Sequence, residues 1–179
     1  MNNGKIICLI GPSGSGKTAI ADELVKDCRF AKPVTATTRN RRCGEPERAY
    51  HFISENKFED MLNNNEFLET TVYNGCHYGT PIKEIDKIIK FSKNAVIPID
   101  INGAVFIKKR YKDNSILVFI QRDKQKLIEE ILKRNVSNEE KCNRISSIDS
   151  ECENASLCDT LIYNNYTLEE AAKKIKSLL

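Results

Sequence analysis

The sequence predicts an α/β domain with a mainly parallel sheet flanked by helices. Three observations carry that expectation. Short apolar runs alternate with amphipathic stretches along all 179 residues, the pattern of strands connected through helices. Two runs, AVIPI (95–99) and SILVFI (115–120), are continuously apolar, as parallel strands covered on both faces must be. A glycine-rich GPSGSGKT (11–18) joins one strand-like run to one helix-like run.

Taken in order, KIICLI (5–10) reads as a buried strand, and TAIADELVKDC (18–28) as a helix with Ile20, Leu24 and Cys28 on one face. PVTAT (33–37) is a strand. FISENKFEDML begins as a strand and turns helical after Ser54, an N-cap residue. Asn63, Asn64 and Asn65 form a turn, and EFLETTVY (66–73) is strand-like. Thr80-Pro81 opens a helix to about Phe91, with proline at the first helical position. AVIPI and SILVFI are each followed by a helix-like stretch. LIYN (161–164) is the last strand. Thr167 and Glu170 form a capping box for the final helix.

A chain of this length suits one domain and can bury roughly 70% of its unfolded surface. The net charge of +3 is too small to imply nucleic-acid binding, so any functional charge is local. The apolar run 6–10 is too short for a membrane span or a signal sequence. Seven scattered cysteines include no C-x-x-C, and only His51 and His77 could join them. They read as reduced thiols of a cytoplasmic protein rather than a zinc site.

GPSGSGKT matches G-x-x-x-x-G-K-[ST] in the context that motif needs, directly after a strand and at the start of a helix. Glycines let successive backbone N–H groups converge on phosphate oxygens, and the helix N-terminus adds its dipole. Gly11, Ser13, Gly14, Ser15, Gly16, Lys17 and Thr18 are therefore candidates for holding a nucleoside triphosphate, ATP. Lys17 would reach the β- and γ-phosphates, and the Thr18 hydroxyl would ligate Mg²⁺.

A second anion site is legible in TATTRNRRCGEPERAYHF (35–52), where Arg39, Arg41 and Arg42 follow a strand end. Ligands gather at such ends in an α/β sheet, and two guanidinium forks there suit a second phosphate. Standing alone, the stretch is also compatible with a solvated basic loop.

The pattern T-x-x-x-R-x-x-R-x-G-E…Y-x-F, then EFLE…YGTP, then a buried strand ending in DI-x-G, resembles guanylate kinase over nearly the whole chain. The resemblance implies a P-loop NTPase fold in one domain, residues 1–179. The core would be residues 1–34 and 80–179, a small nucleoside-monophosphate-binding subdomain about 35–79, and a mobile lid about 134–150. It implies that Arg39, Arg42, Tyr50 and Tyr78 hold the GMP phosphate, and that Thr35, Glu69, Thr80 and Asp100 surround the guanine. Lys17, Arg134 and Arg144 would be catalytic, transferring phosphate from ATP to GMP or dGMP with Mg²⁺. Neither nucleic acid nor a membrane is an expected partner. Arg41 corresponds to no required position.

Chemistry supports the base assignment. Guanine presents N1–H and N2–H₂ on one edge, and a carboxylate such as Glu69 accepts both; adenine offers no such pair. Three positions depart from the family pattern. Pro98 stands where an acidic residue usually helps order the water around Mg²⁺. Glu130 stands where lids usually carry an arginine. The loop 44–50 is about one residue short. A phosphorylated acceptor such as a ribose bisphosphate, or a guanylate-kinase-like binding module without catalysis, therefore remain as alternative readings at this stage.

Overall fold

The computed structural model describes residues 4–73, 75–165 and 167–179. Its central sheet contains β1 (Ile6–Ile10), β2 (Phe30–Ala31), β7 (Asn94–Pro98), β8 (Ser115–Gln121) and β9 (Thr160–Tyr163), in spatial order β2-β7-β1-β8-β9. Every pairing in it is parallel. A second sheet, ordered β4-β3-β6-β5, is built from β3 (Ala36–Thr37), β4 (His51–Phe52), β5 (Phe67–Tyr73) and β6 (Cys76–Pro81). It is mixed, with β3 parallel to β4 and antiparallel to β6. The helices are α1 (Lys17–Leu24), α2 (Glu55–Asn63), α3 (Ile82–Lys90), α4 (Ile101–Tyr111), α5 (Lys124–Leu132), α6 (Asn138–Ser146), α7 (Ile148–Glu153) and α8 (Leu168–Lys176).

The two-residue period of a strand explains how β1 can be apolar throughout. Ile7 and Leu9 pack on one face with Ile20 and Leu24 of α1 and Ile175 of α8. Ile6, Cys8 and Ile10 pack on the other with Ile85 of α3 and Ile107 of α4. Both faces are covered, as the continuous runs required. The second sheet rests on a much smaller core of Ala36, Phe58, Met61 and Phe67, in which the Phe58 and Phe67 rings stack at 4.5 Å.

Ser54 caps α2 by accepting from Lys57 N, and Thr167 caps α8 by accepting from Glu170 N. Of the boundaries that differ from the sequence expectation, three have a clear local cause. The helix predicted through Cys28 stops at Leu24. Asp27 takes both the backbone N–H and the guanidinium of Arg29, which favours a turn over another helical residue. The strand predicted over 33–37 shrinks to Ala36–Thr37; Pro33 has no N–H to give to a ladder. Pro81 is the extended N-cap of α3 rather than its first helical residue, because it still pairs with Phe67 at the end of β6. No helix among the described residues is long and apolar enough to cross a membrane.

Candidate active site

The loop from Gly11 to Gly16 leaves the C-terminal end of β1, in the middle of the sheet, and runs into α1. Gly11, Gly14 and Gly16 have φ of 141°, 87° and 93°, conformations that only glycine adopts without strain. At Gly16 a Cβ would also lie 2.4 Å from Asn164 Nδ2, the atom that holds the loop by donating to the Ser15 carbonyl at 2.8 Å. Ser15 is fully buried beneath the loop. The Lys17 ammonium bonds back to the carbonyls of Gly11 and Pro12. Burial pushes its pKa down to about 8, with Glu151 opposing and Arg134 and Arg144 adding to the shift.

Two cavities meet at this lysine. The first, about 530 Å³, is lined by Gly14, Gly16, Lys17 and Thr18 together with Arg122, Arg134 and Asn164. The second, about 430 Å³, takes Gly11, Lys17 and Thr18 on one side and Glu69, Pro98, Asp100 and Glu151 on the other. Glu69 then passes into a third, smaller cavity of about 140 Å³ with Thr35, Tyr78 and Thr80. The three form a row, sharing Lys17 and Thr18 at one junction and Glu69 at the next.

In the small cavity, the Thr80 hydroxyl donates to Glu69 Oε1 at 3.4 Å. Desolvation and the nearby Asp100 carboxylate raise the Glu69 pKa above the ordinary carboxylate range, against the Thr80 bond. Asp100 is positioned as the N-cap of α4, accepting from Gly103 N at 2.8 Å. Beside this cavity the aromatic rings form a platform. Tyr50 meets Tyr78 edge-on at 6.0 Å, and the Arg39 guanidinium lies 5.5 Å from the Tyr50 ring and 5.6 Å from Phe52. Arg39 is held by Glu45 through Nη2, at 2.8 and 3.0 Å. The Arg42 side chain is exposed, while its backbone N–H donates to Glu45. Arg41 sits apart in an exposed pair with Glu47.

From α6, Arg144 reaches the loop, donating to Ser13 Oγ at 3.0 Å and to Glu140. Arg134 lies at the end of α5, on the wall of the first cavity. His51 pairs with Glu84, and His77 packs on Phe58; neither faces the row. Sequence reasoning did not single out Arg122, Glu151 or Asn164. Arg122 and Asn164 each directly follow an apolar strand, a position that points to the ligand-bearing rim, and that signal could have found them. Glu151 lies in a polar helix with no sequence mark.

A glycine-rich loop on the rim of a parallel sheet, continuous with a carboxylate-lined recess and flanked by an arginine on an aromatic platform, defines a P-loop α/β protein. The chain belongs to the guanylate kinase family, whose sequence model matches residues 3–179. Guanylate kinase of Clostridium tetani is 32% identical over 181 residues, covering 100% of this chain and 86% of that protein. Guanylate kinase of Carboxydothermus hydrogenoformans is 33% identical over 183 residues, covering 100% and 89%. The fold resembles the crystal structure of guanylate kinase from Anaplasma phagocytophilum, with a TM-score of 0.69 at 23% identity, covering 99% and 85% of the two chains.

Proposed function

We propose that this protein transfers the γ-phosphate of ATP to GMP and dGMP, giving ADP and the nucleoside diphosphate. The observation that carries the reading is the continuous row of cavities, P-loop at one end and the Glu69–Thr80 recess at the other. A ribose bisphosphate acceptor would have no use for that recess.

In the reaction an oxygen of the GMP phosphate bonds to the γ-phosphorus, and the bond from that phosphorus to the β–γ bridging oxygen breaks. The attacking oxygen is already ionised at neutral pH, so no general base is needed. This chain's residues align two polyanions and offset their charge. Gly11, Ser13, Gly14, Ser15 and Gly16 cradle the donor with backbone N–H groups. Lys17 leaves its loop carbonyls for the β- and γ-phosphates, and Arg134 and Arg144 meet the transferring group from the lid. Arg39, Arg42, Tyr50 and Tyr78 hold the acceptor phosphate, for which Arg39 must loosen its grip on Glu45. Glu69, Thr80, Thr35 and Asp100 read the guanine. Residues 35–79 act as the acceptor subdomain and 134–150 as the lid.

The middle cavity fits a magnesium ion. Thr18, Asp100 and Glu151 bring only oxygen donors to it, and the described residues form no closed cluster of three or more His, Cys, Asp or Glu. Magnesium keeps several waters and takes one or two carboxylates besides substrate phosphates. Thr18 would hold it directly, with the two carboxylates on its waters. An ion held there would supply Lewis-acid stabilisation of the phosphate charge. The same reading places the protein in the cytoplasm, with its seven cysteines as free thiols.

The test is ADP release with ATP, Mg²⁺ and a panel of GMP, dGMP, IMP, AMP, UMP and ribose bisphosphate. GMP and dGMP should turn over, IMP weakly and AMP not at all. Comparable rates with AMP and GMP would overturn the base-recognition scheme.

A further inference from the structure

Arg122 stands just past the end of β8, on the wall of the first cavity, opposite the start of α1. It is half-buried, and its surroundings leave it underused. A guanidinium carries five N–H donors in a rigid fork. Here Nη1 donates to the Gly14 carbonyl at 2.9 Å, while Nε is buried with no hydrogen-bond partner. Among the described residues no carboxylate lies within ion-pair distance of it. Glu130 is the acidic residue on the same cavity wall. That carboxylate is engaged by Lys133 at 3.0 Å, which holds its pKa down, with smaller contributions from Arg122 and Arg134.

A buried Nε–H with no partner, on a guanidinium that bonds a single neutral carbonyl, is an unfavourable arrangement unless something else completes it. Guanidinium forks are matched by phosphate oxygens, and their planes by aromatic rings. An adenine nucleotide supplies both, and the cavity that Arg122 lines is the one the P-loop opens into.

We propose that Arg122 is a binding residue for the donor nucleotide, fixing the loop through Gly14 and contacting the nucleotide with the rest of its guanidinium. This inference rests on the ATP:GMP phosphotransferase reading.

The test is calorimetry with ADP and, separately, GMP on the full chain, for the parent, Arg122→Gln and Arg122→Lys. A lost charge-assisted contact corresponds to about a tenfold loss or more. Arg122→Gln should weaken ADP by that factor and raise the KM for ATP, leaving GMP affinity and the melting temperature near the parent values. Arg122→Lys keeps the charge and should recover part of the loss. Unchanged ADP affinity in a folded Arg122→Gln protein overturns the proposal. So does an equal loss for ADP and GMP, which marks a structural role. If Arg122→Gln does not fold, the proposal stands or falls on Arg122→Lys, whose ADP affinity must drop while its GMP affinity holds. A parent that binds both nucleotides but transfers no phosphate would overturn the reaction scheme while leaving this contact supported.

Discussion

The two ends of the cleft are built in different ways. The heart of the donor end is one contiguous stretch, 11–18, seated on a strand whose two faces are both buried. The acceptor end is assembled from residues at positions 35 to 100, carried by several elements and supported by a core of four buried residues. In the proposed reaction, backbone N–H groups would meet most of the donor phosphate, so the demand on sequence is conformational and local. Side chains would meet guanine and its phosphate, so that demand is chemical and distributed. The ends also differ in how they rest. Lys17 and Arg144 are turned onto the loop itself. Arg39 is turned onto a neighbouring carboxylate, and Arg42 leaves its guanidinium exposed.

If the ends are separate sites, their lesions should separate. Lys17→Ala should have the largest effect, lowering kcat by about 10²–10³-fold, as removal of one preorganised charge at a transition state does. GMP affinity measured by calorimetry should barely change. In the parent, kcat/KM for ATP should decline as pH rises through about 8, where the buried Lys17 of the free enzyme loses its charge. A profile that stays flat well above that value would show that another group carries the donor charge.

Glu69→Gln comes next. It replaces a double acceptor by a group with one acceptor and an unwanted donor, so kcat/KM for GMP should fall about 10²-fold and the preference over AMP should shrink. The sign of the pH effect follows from the raised pKa. Recognition needs the carboxylate, so GMP affinity should be lost as pH falls through a value above that of an ordinary glutamate. The Gln variant should lack that acid limb. A parent and variant with the same acid limb would assign it elsewhere.

Arg42→Ala should weaken GMP by about 10-fold to 100-fold, the range for one charge-assisted contact, with ATP affinity retained. Calorimetry with each nucleotide on each variant decides the comparison. If Lys17→Ala and Arg42→Ala impair the same ligand, the cleft does not contain two independent anion sites.

The same contrast explains what could be read in advance. The central sheet was legible because β1, β7 and β8 are buried on both faces and so contain almost no polar residue. The P-loop was legible because its backbone requirement fixes glycine spacing. The strand β6, CHYGTP, carried no such mark: it holds a glycine and a proline and has only a mixed sheet around it. Two-residue strands such as β2 are too short for any period to show. Arg39 was marked by its place after a strand end, but Glu69 and Thr80 acquired meaning only through the guanylate kinase pattern, since nothing local sets a surface glutamate apart from a base reader. Arg122 was missed because no element of that pattern covers it, although its place after β8 marked it. Glu151 could be found only from the fold, which brings α7 over Lys17.

The smallest expected effect belongs to Pro98, where the family pattern has an acid. Pro98 ends β7 opposite Leu9, and the ladder continues past it through Ile99 N donating to the Leu9 carbonyl. It lines the middle cavity with Thr18, Asp100 and Glu151. If Asp100 and Glu151 already order water around a bound magnesium ion, a third carboxylate adds little. Pro98→Asp should then tighten ATP binding at low Mg²⁺ by less than the 10–100-fold attached to a sole supporting group, and not at all at saturating Mg²⁺. Without the ion the new charge joins Glu69, Asp100 and Glu151 across one cavity, so the variant alone should melt lower than the parent. Mg·ATP should restore more melting temperature to the variant than to the parent, since ligand binding to the native state adds stability as the logarithm of one plus the ratio of ligand concentration to Kd. Calorimetry of ATP across a Mg²⁺ series, with melting curves beside it, reads both effects without relying on turnover. A gain of 100-fold or more (the upper end for a supporting group) would mean that Glu151 and Asp100 do not serve the ion. The proline would then weaken catalysis rather than being compensated by α7.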